Sequence, residues 1–351
     1  MKSNQFIAPL HGLRGIAALL VVYSQGHAGG YIKLPGSGYA GSMGVALFFV
    51  LSGFLMAHLY LPQKLNACNA KKYIVARFAR IYPLFSLVVI ISGVMYLFYP
   101  SWPFSLDAWD VLLHLGGMGS GRTIWTISTE LQFYCVFILL WAAHTFIFQH
   151  RDLWMAASIV LLALLLKGIG YSDDRILISG YLHIFLAGML AAIGYRNIKK
   201  VNYFTALEKS VTFVFPLLAI LWGYAAYIAP ATWGGRWIFQ VEWLMLLTAV
   251  MVFFSCINLR SIWSELLASR ILTWLGEISF GVYLLHRPVI WLLSNFTPWL
   301  NSLPWPIRAT IFTFSLLLFA HVCHRLIEVP CRSFLRGDGL SFFKRSGTVK
   351  N

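Results

Sequence analysis

The chain has 351 residues, of which 59% are hydrophobic and only 11% are charged. Soluble domains carry about 25% charged residues, so this composition excludes an ordinary soluble protein and predicts a membrane protein. The formal net charge of +15 would suggest a nucleic-acid ligand in a soluble protein, but in a membrane protein it first indicates orientation. The five cysteines show no CxxC pair and no Cys/His spacing typical of a metal site, so no metal is predicted.

Apolar segments follow one another along the whole sequence. A membrane-spanning helix needs about 17–25 mostly apolar residues, and polar or Gly/Pro-rich connectors separate most of the segments that approach this length. We therefore predict an all-α integral membrane protein with about ten transmembrane helices, a single membrane domain over residues 1–351 and no soluble domain. The predicted spans are 13–30, 39–61, 82–99, 125–148, 152–170, 177–195, 211–229, 239–258, 272–294 and 307–327.

The basic residues predict how these spans are oriented, because cytoplasmic connectors are enriched in Lys and Arg. Of the 27 basic residues, 20 lie at the two ends of the chain or in the connectors after spans two, four, six and eight. Five lie in the alternate connectors and two lie within spans. This distribution predicts that both termini are cytoplasmic. It also explains the positive charge without a nucleic-acid partner.

Arg14 lies near the cytoplasmic end of the first span, and two interpretations of it are open. Its guanidinium reaches the lipid phosphates from the helix end, or it binds a phosphorylated ligand. The connector after the second span favours the ligand, since it brings Lys71, Lys72, Arg77 and Arg80 to the same membrane face. Membrane lipids with anionic headgroups would be bound by the same cluster.

A second group of polar residues is predicted toward the outer face. The fourth span begins with WTISTELQFY over residues 125–134, in which Thr126, Glu130 and Tyr134 share one helix face because they are four residues apart. An ionisable group at membrane depth is a candidate for a functional site. A buried hydrogen bond between helices is the structural alternative.

The ninth span carries the other members of this outer group. It contains LGEISFGVYLLHRP over residues 275–288, with Tyr283, His286 and Arg287 in its outer half. Glu242, near the outer end of the eighth span, is a possible partner for Arg287. A basic inner mouth and a polar outer group are typical both of a proton-coupled transporter and of an enzyme that moves a group across the membrane.

Six segments, in order, resemble motifs of the acyltransferase-3 family of membrane acyltransferases, which modify bacterial surface sugars and some small molecules. Together they extend over nearly the whole chain, and the ordered set is specific. The segments are LHGLRGIAALLVV (10–22), GVALFFVLSGFLM (44–56), RFARIYP (77–83), WTISTELQFY (125–134), LGEISFGVYLLHRP (275–288) and HRLIEVPCR (324–332).

The resemblance implies a membrane O-acyltransferase in the bacterial cytoplasmic (inner) membrane. Its donor would be cytoplasmic acyl-CoA, with acetyl-CoA favoured, and its acceptor a hydroxyl of a cell-surface glycan, a lipid-linked sugar or a small hydroxylated molecule at the outer face. No metal is implied. The residues expected to hold the CoA phosphates are Arg14, Arg77, Arg80, Lys71 and Lys72. The alternative is an exporter of an acylated or anionic metabolite, which performs no chemistry.

The first span departs from the family at one position. The family has an arginine, ten intervening residues and a catalytic histidine; here Arg14 is followed at that position by Gln25. Eleven residues are close to three helical turns, so the two side chains share a face about 16 Å apart along the axis. An amide cannot accept a proton near neutral pH, whereas an imidazole can.

Three explanations of Gln25 are open. His27, about 220° round the helix from Arg14, serves as the base if the neighbouring glycines distort the helix end. The natural protein catalyses acyl transfer slowly or has a function other than acyl transfer. Or the exchange deliberately inactivates the enzyme. In the enzyme interpretation, Glu130 orients the base, and Tyr283 and His286 shape the site or stabilise the developing oxyanion.

Overall fold

The computed structural model describes residues 7–33, 37–119, 124–169, 178–198, 204–228, 242–257 and 260–335. Within these ranges the chain forms helices and connectors, without a β-strand, which confirms the predicted all-α class. The α-helices in these ranges are α1 (Ala8–Ala28), α2 (Ser37–Tyr60), α3 (Ala67–Phe98), α4 (Ala108–Leu115), α5 (Trp125–Ala142), α6 (Asp152–Ile169), α7 (Leu182–Ile198), α8 (Phe204–Ile228), α9 (Glu242–Ile257), α10 (Ile262–Leu267), α11 (Arg270–Phe296), α12 (Trp305–Cys323) and α13 (Val329–Leu335).

Each of the ten predicted spans falls on a helix, although several ends differ. The largest difference is at α3, which begins at Ala67 rather than near residue 82. The Asn66 side chain caps its first turn by accepting a hydrogen bond of 2.8 Å from the Asn69 amide. The basic segment that sequence patterning assigned to a connector is therefore the first part of a long helix. The predicted span residues 170, 177, 229, 239–241 and 258 lie outside the described ranges.

Four helical stretches in the described ranges are long and apolar enough to cross a membrane: Ala40–Tyr60, Ala67–Phe98, Trp125–Ile147 and Trp305–Leu335. Large apolar side chains such as Leu97, Phe213 and Phe314 are exposed on the outer surface. Exposed apolar surface on this scale suits contact with lipid better than contact with water. The number of ten transmembrane helices stays a prediction.

The centre of the bundle is α1, which packs against α2 and α11, while α2 packs in turn against α7. Two glycines allow the close approach of α2 and α7. A methyl group on Gly53 would overlap the Phe185 carbonyl, and one on Gly188 would overlap the Val50 carbonyl. Small residues at helix contacts in membranes let backbones approach closely and gain van der Waals contact.

The connector between α3 and α5 folds back along α3. The Tyr82 hydroxyl donates a hydrogen bond of 3.0 Å to the Leu115 carbonyl, and Tyr82 lies 16 residues before the end of α3 at Phe98, or about 24 Å along the helix axis. The connector thus returns from the end of α3 to its middle. Polar backbone at such a depth must be paired within the protein, and this hydrogen bond pairs one carbonyl.

Gln132 fixes the same connector from the other side. Its Nε2 donates to the Gly117 carbonyl at 3.0 Å, and its Oε1 accepts from the Ile178 amide at 2.9 Å. Gly117 has a φ of +74°, a left-handed conformation that favours glycine. One side chain on α5 therefore holds the connectors that precede α5 and α7.

Candidate active site

A cavity that is partly open to the outside lies between α1, α2, α5 and α11, and its empty space, counted with the open space at its mouth, amounts to about 430 Å³. Its polar lining residues come from three of these helices: Arg14 from α1, Thr126 and Glu130 from α5, and Ser279 and Tyr283 from α11. The apolar lining residues are Val45, Phe48, Phe49, Ile127 and Phe280. The structure therefore brings together Arg14, predicted at the inner mouth, with three residues predicted toward the outer face: Thr126, Glu130 and Tyr283.

Glu130 is held by two hydroxyl groups at the cavity wall. Its Oε1 accepts hydrogen bonds of 2.7 Å from Ser52 Oγ and 2.6 Å from the Tyr134 hydroxyl. Hydrogen bonds to a charged group each stabilise by about 1.5–3 kcal/mol, so these donors offset part of the cost of placing a carboxylate within the bundle. Tyr134 shares a face with Glu130, as the spacing predicts, whereas Ser52 comes from α2.

Tyr283 is oriented by Thr126. Thr126 Oγ1 donates to the Tyr283 hydroxyl oxygen at 2.6 Å, and the Phe48 ring meets the Tyr283 ring edge-on with centroids 6.1 Å apart. A phenol that accepts one hydrogen bond becomes a stronger donor of its own proton. Tyr283 is thus fixed at the cavity as a potential hydrogen-bond donor.

His286 lies behind Tyr283, outside the residues that line the cavity. Its Nδ1 is 2.5 Å from the Tyr283 carbonyl, and because a carbonyl only accepts, Nδ1 carries the proton. The side chain is fully buried, and its Nε2 has no hydrogen-bond partner. The geometry supports a role in fixing the backbone at Tyr283.

Gln25 forms hydrogen bonds with Arg287, which lies in the HRP segment at residues 286–288 of α11. Its Oε1 accepts hydrogen bonds of 3.3 and 3.2 Å from Nε and Nη2 of Arg287. The side chain of Glu242, the predicted partner of Arg287, lies outside the part of the chain that the structure describes. Position 25 is therefore held by α11, the helix that also supplies Tyr283.

His27 is on another face of α1. The helix runs without interruption to Ala28; the Gly29 amide still donates a helical hydrogen bond of 2.9 Å to the Gln25 carbonyl, and the chain leaves helical geometry at Gly30, whose φ is +78°. The His27 side chain is exposed. In this structure the glycines end the helix after His27 and do not swing the imidazole toward the face of Gln25.

The predicted basic cluster divides into two environments. Lys71 and Lys72 are exposed in the first turns of α3, and Arg80 is partly buried. Arg77 is only 9% exposed, and its guanidinium lies between the rings of Tyr60 and Tyr134 at 5.8 and 5.9 Å from their centroids. Burial therefore sets Arg77 apart from the lysines with which it was grouped.

Sequence patterning did not single out Ser52 and Gln132. Ser52 is the polar interruption in the apolar run GVALFFVLSGFLM, which was the available signal. Gln132 lies in the quoted WTISTELQFY segment but off the face of Glu130, so its link to two connectors was not foreseen. Both contacts are long-range and depend on how the helices pack.

Comparison with known proteins identifies the same family as the sequence motifs. A family model described as an acyltransferase domain, acyltransferase-3, matches residues 7–325. The putative peptidoglycan O-acetyltransferase YrhL of Bacillus subtilis is 25% identical over 369 residues, covering 95% of this chain and 56% of that protein. The peptidoglycan O-acetyltransferase OatA of Listeria monocytogenes is 22% identical over 380 residues, covering 97% and 58%.

A shorter match, 38% identical over 91 residues, links 25% of this chain to 44% of protein 2 in the picA locus of Rhizobium radiobacter. The chain spans somewhat more than half the length of the two peptidoglycan O-acetyltransferases. No solved structure matches.

Proposed function

We propose, from the premise that this chain belongs to the acyltransferase-3 family, that it transfers an acetyl group from cytoplasmic acetyl-CoA to a hydroxyl of a cell-surface glycan at the outer face of the bacterial cytoplasmic membrane. Peptidoglycan is the first acceptor to test, because two relatives are named peptidoglycan O-acetyltransferases. The observation that carries the proposal is the cavity at which Arg14, Glu130 and Tyr283 meet.

Cationic side chains of α1 and α3 would hold the donor. Lys71 and Lys72 are exposed at the start of α3, Arg80 is partly buried further along it, and Arg14 reaches the cavity. Guanidinium and ammonium groups pair well with phosphate oxygens. These cationic groups are complementary in charge to the phosphates of CoA at the inner mouth. The other polar residues of the cavity, Glu130 and Tyr283, would then lie near the thioester end.

The chemistry is attack of the acceptor hydroxyl oxygen on the thioester carbonyl carbon. A carbon–oxygen bond forms, the carbon–sulfur bond breaks, and CoA leaves as a thiol once it has gained a proton. The acceptor proton needs a base. With an amide at position 25, the Glu130 carboxylate is the proton-accepting group among the cavity-lining residues, and the Tyr283 hydroxyl is the donor for the developing oxyanion.

The test is acetyl transfer by the purified full chain in liposomes that enclose radiolabelled acetyl-CoA, with soluble peptidoglycan fragments outside. We expect labelled ester on the fragments, and a loss of about 10²–10⁴-fold in the Glu130→Gln variant. Glu277→Gln is the matched control, because Glu277 is an exposed carboxylate on α11 and should be dispensable. Movement of label across the membrane without ester formation would instead identify an exporter.

A further inference from the structure

A second pocket lies where the ends of α2, α5 and α7 meet the start of α6, apart from the central cavity. Its empty space, counted with the open space at its mouth, amounts to about 510 Å³. We call it the junction pocket and define it by its five ionisable lining residues, Lys64, His144, His150, Asp152 and Arg196. None of them lines the central cavity, and none belongs to the groups that we assign to the acetyl donor.

The junction pocket lies at the level where two apolar helical stretches end. Ala40–Tyr60 ends directly before Leu61, which also lines the pocket, and Trp125–Ile147 carries His144 in its last turn. The ends of membrane-spanning helices lie at the level of the lipid headgroups. The basic residues of the adjoining connectors predict that this side is cytoplasmic, so we expect the pocket to meet the headgroups of that leaflet.

Asp152 is neutralised by the residues around it. Arg196 donates to both carboxylate oxygens, through Nη2 to Oδ1 and through Nε to Oδ2, the latter at 3.0 Å. Asn197 Nδ2 donates to Oδ2 at 3.0 Å, and His144 Nε2 donates to Oδ1 at 3.2 Å. Each carboxylate oxygen thus accepts two hydrogen bonds, which uses its two lone pairs. Since Lys64 adds a second positive charge to that of Arg196, the lining favours an anion over a cation.

His144 has a buried nitrogen without a partner. Its side chain is 1% exposed. Its Nε2 carries the proton that the Asp152 carboxylate accepts, and no group in the described ranges forms a hydrogen bond with its Nδ1. Buried polar atoms without a partner are uncommon and can mark the place of a bound water or ion. An anion in the pocket would supply the partner, because a protonated imidazole donates from both nitrogens.

Two exposed basic side chains, those of Lys64 and His150, complete the lining, and the backbone holds each of them in place. Next to Lys64, the Gln63 carbonyl accepts a hydrogen bond of 2.7 Å from Nε1 of Trp141, which ties this connector to α5. His150 has a φ of +62°, which is uncommon for a residue other than glycine, and its amide donates to the His144 carbonyl at 2.9 Å. Groups that are already ordered lose less entropy when they bind a ligand.

We propose that the junction pocket binds a phosphate group, with Lys64 and Arg196 supplying positive charge and His144 a buried donor. The phosphate belongs either to the headgroup of an anionic lipid in the cytoplasmic leaflet or to a small soluble phosphate. Basic pockets between membrane helices on the cytoplasmic side bind the headgroups of anionic lipids, and guanidinium and ammonium groups pair well with phosphate oxygens. The inference goes beyond the proposed function, because the pocket takes no part in the transfer reaction.

The test is a titration of the purified full chain in neutral detergent with phosphatidic acid, in which native mass spectrometry counts the bound lipid. Phosphatidylcholine with the same acyl chains is the reference lipid, because its headgroup carries no net charge. We expect phosphatidic acid to bind about tenfold more tightly or better, since two fixed cations of the pocket face its phosphate. The readout is binding, so it does not depend on acetyl transfer.

Two pairs of variants assign the binding to the junction pocket. Lys64→Gln should raise the Kd of phosphatidic acid about fivefold, the usual effect of one cation near a lipid headgroup. Arg270→Gln is its matched control, because it also removes one exposed positive charge, at the start of α11 and outside the pocket. His150→Gln should weaken binding as well, whereas His27→Gln, at an exposed histidine outside the pocket, should not. All four positions are exposed, so we expect these variants to fold.

Displacement distinguishes the two sources of phosphate. If excess inorganic phosphate releases phosphatidic acid from the wild-type chain but not the residual lipid from Lys64→Gln, the ligand is a soluble phosphate. If the lipid stays bound, the ligand is a lipid headgroup. Three results would overturn the inference: equal binding of phosphatidylcholine, equal Kd values in Lys64→Gln and Arg270→Gln, or displacement by acetyl-CoA but not by inorganic phosphate, which would assign the pocket to the acetyl donor.

Discussion

Gln25 accepts hydrogen bonds from the Arg287 guanidinium, and this contact determines what an imidazole at the same position would experience. A neighbouring cation disfavours a second positive charge, so a histidine here would stay neutral and able to accept a proton. An amide at position 25 can hold Arg287 but cannot take the proton. The exchange therefore preserves the contact between α1 and α11 but leaves position 25 without a proton acceptor, so in the proposed reaction Glu130 is the base of the chain as written.

Gln25→His should raise the rate of acetyl transfer, because an imidazole accepts a proton near neutral pH more readily than the Glu130 carboxylate does; the usual contribution of a general base, about 10²–10⁴-fold, is the upper limit of the gain. The measurement is the initial rate of ester formation on glycan in membranes with matched expression. His27→Ala is the control and should change little, because His27 is exposed on another face of α1. If His27→Ala instead abolished activity in the chain as written, His27 would be the base and Gln25→His would add little.

Arg14→Ala should weaken binding of acetyl-CoA. Arg14 lines the central cavity, and a charge-assisted hydrogen bond contributes about 1.5–3 kcal/mol, which corresponds to about 10- to 150-fold in Kd. Titration of the purified protein with acetyl-CoA measures the change. Arg151→Ala, at an exposed arginine of the connector between α5 and α6, should leave the Kd unaltered. An unchanged Kd in Arg14→Ala would assign Arg14 to helix packing or lipid contact.

At the scale of helices, the contact between α2 and α7 positions Ser52 beside Glu130. Ser52 precedes Gly53, whose lack of a side chain allows the backbone of α7 to approach. Widening this contact would move Ser52 away from the carboxylate, so packing and site geometry are coupled. The apolar pattern of α2 predicts its helix but not this function of the glycine, because the partner surface belongs to a segment more than 130 residues later in the chain.

Gly53→Ala should lower the stability of the protein, because the added methyl group would overlap the Phe185 carbonyl; overpacking typically costs about 1–3 kcal/mol. Thermal unfolding in detergent measures the effect. Gly168→Ala is the matched control, since a methyl group on Gly168 in α6 would meet no neighbouring atom within 4 Å, and alanine there is the better helix former by about 1 kcal/mol. Equal melting temperatures for the two variants would show that α2 and α7 do not need this contact.

The contrast between predicted and observed elements has a physical basis. Apolar length and polar interruptions predict where helices lie and that Glu130 and Tyr134 share a face, because these depend on neighbours a few residues away. The meeting of Arg14, Glu130 and Tyr283 depends on how α1, α5 and α11 pack, which local patterning does not contain. The return of the connector to Tyr82 likewise depends on its hydrogen bond to Leu115.

For the whole molecule, the direction of the proposed reaction depends on which ends of the helices face the cytoplasm. In the proposed reaction the donor is cytoplasmic acetyl-CoA, which requires Lys71 and Lys72 at the start of α3 to lie on that side. The uneven distribution of basic residues predicts this orientation. The folded-back connector then enters from the opposite side, where the acceptor is expected.

Cysteine labelling of intact cells tests this orientation. In a Cys135→Ser background, a membrane-impermeant maleimide should modify an Asp107→Cys variant directly, because Asp107 is exposed at the start of α4 on the predicted outer side. Native Cys68, exposed at the start of α3, should react only after the cells are permeabilised, which makes it the internal control. The reverse pattern would put Lys71 and Lys72 on the outer side, away from cytoplasmic acetyl-CoA. Acetyl transfer from the cytoplasm to a surface glycan would then have no donor site at the inner mouth.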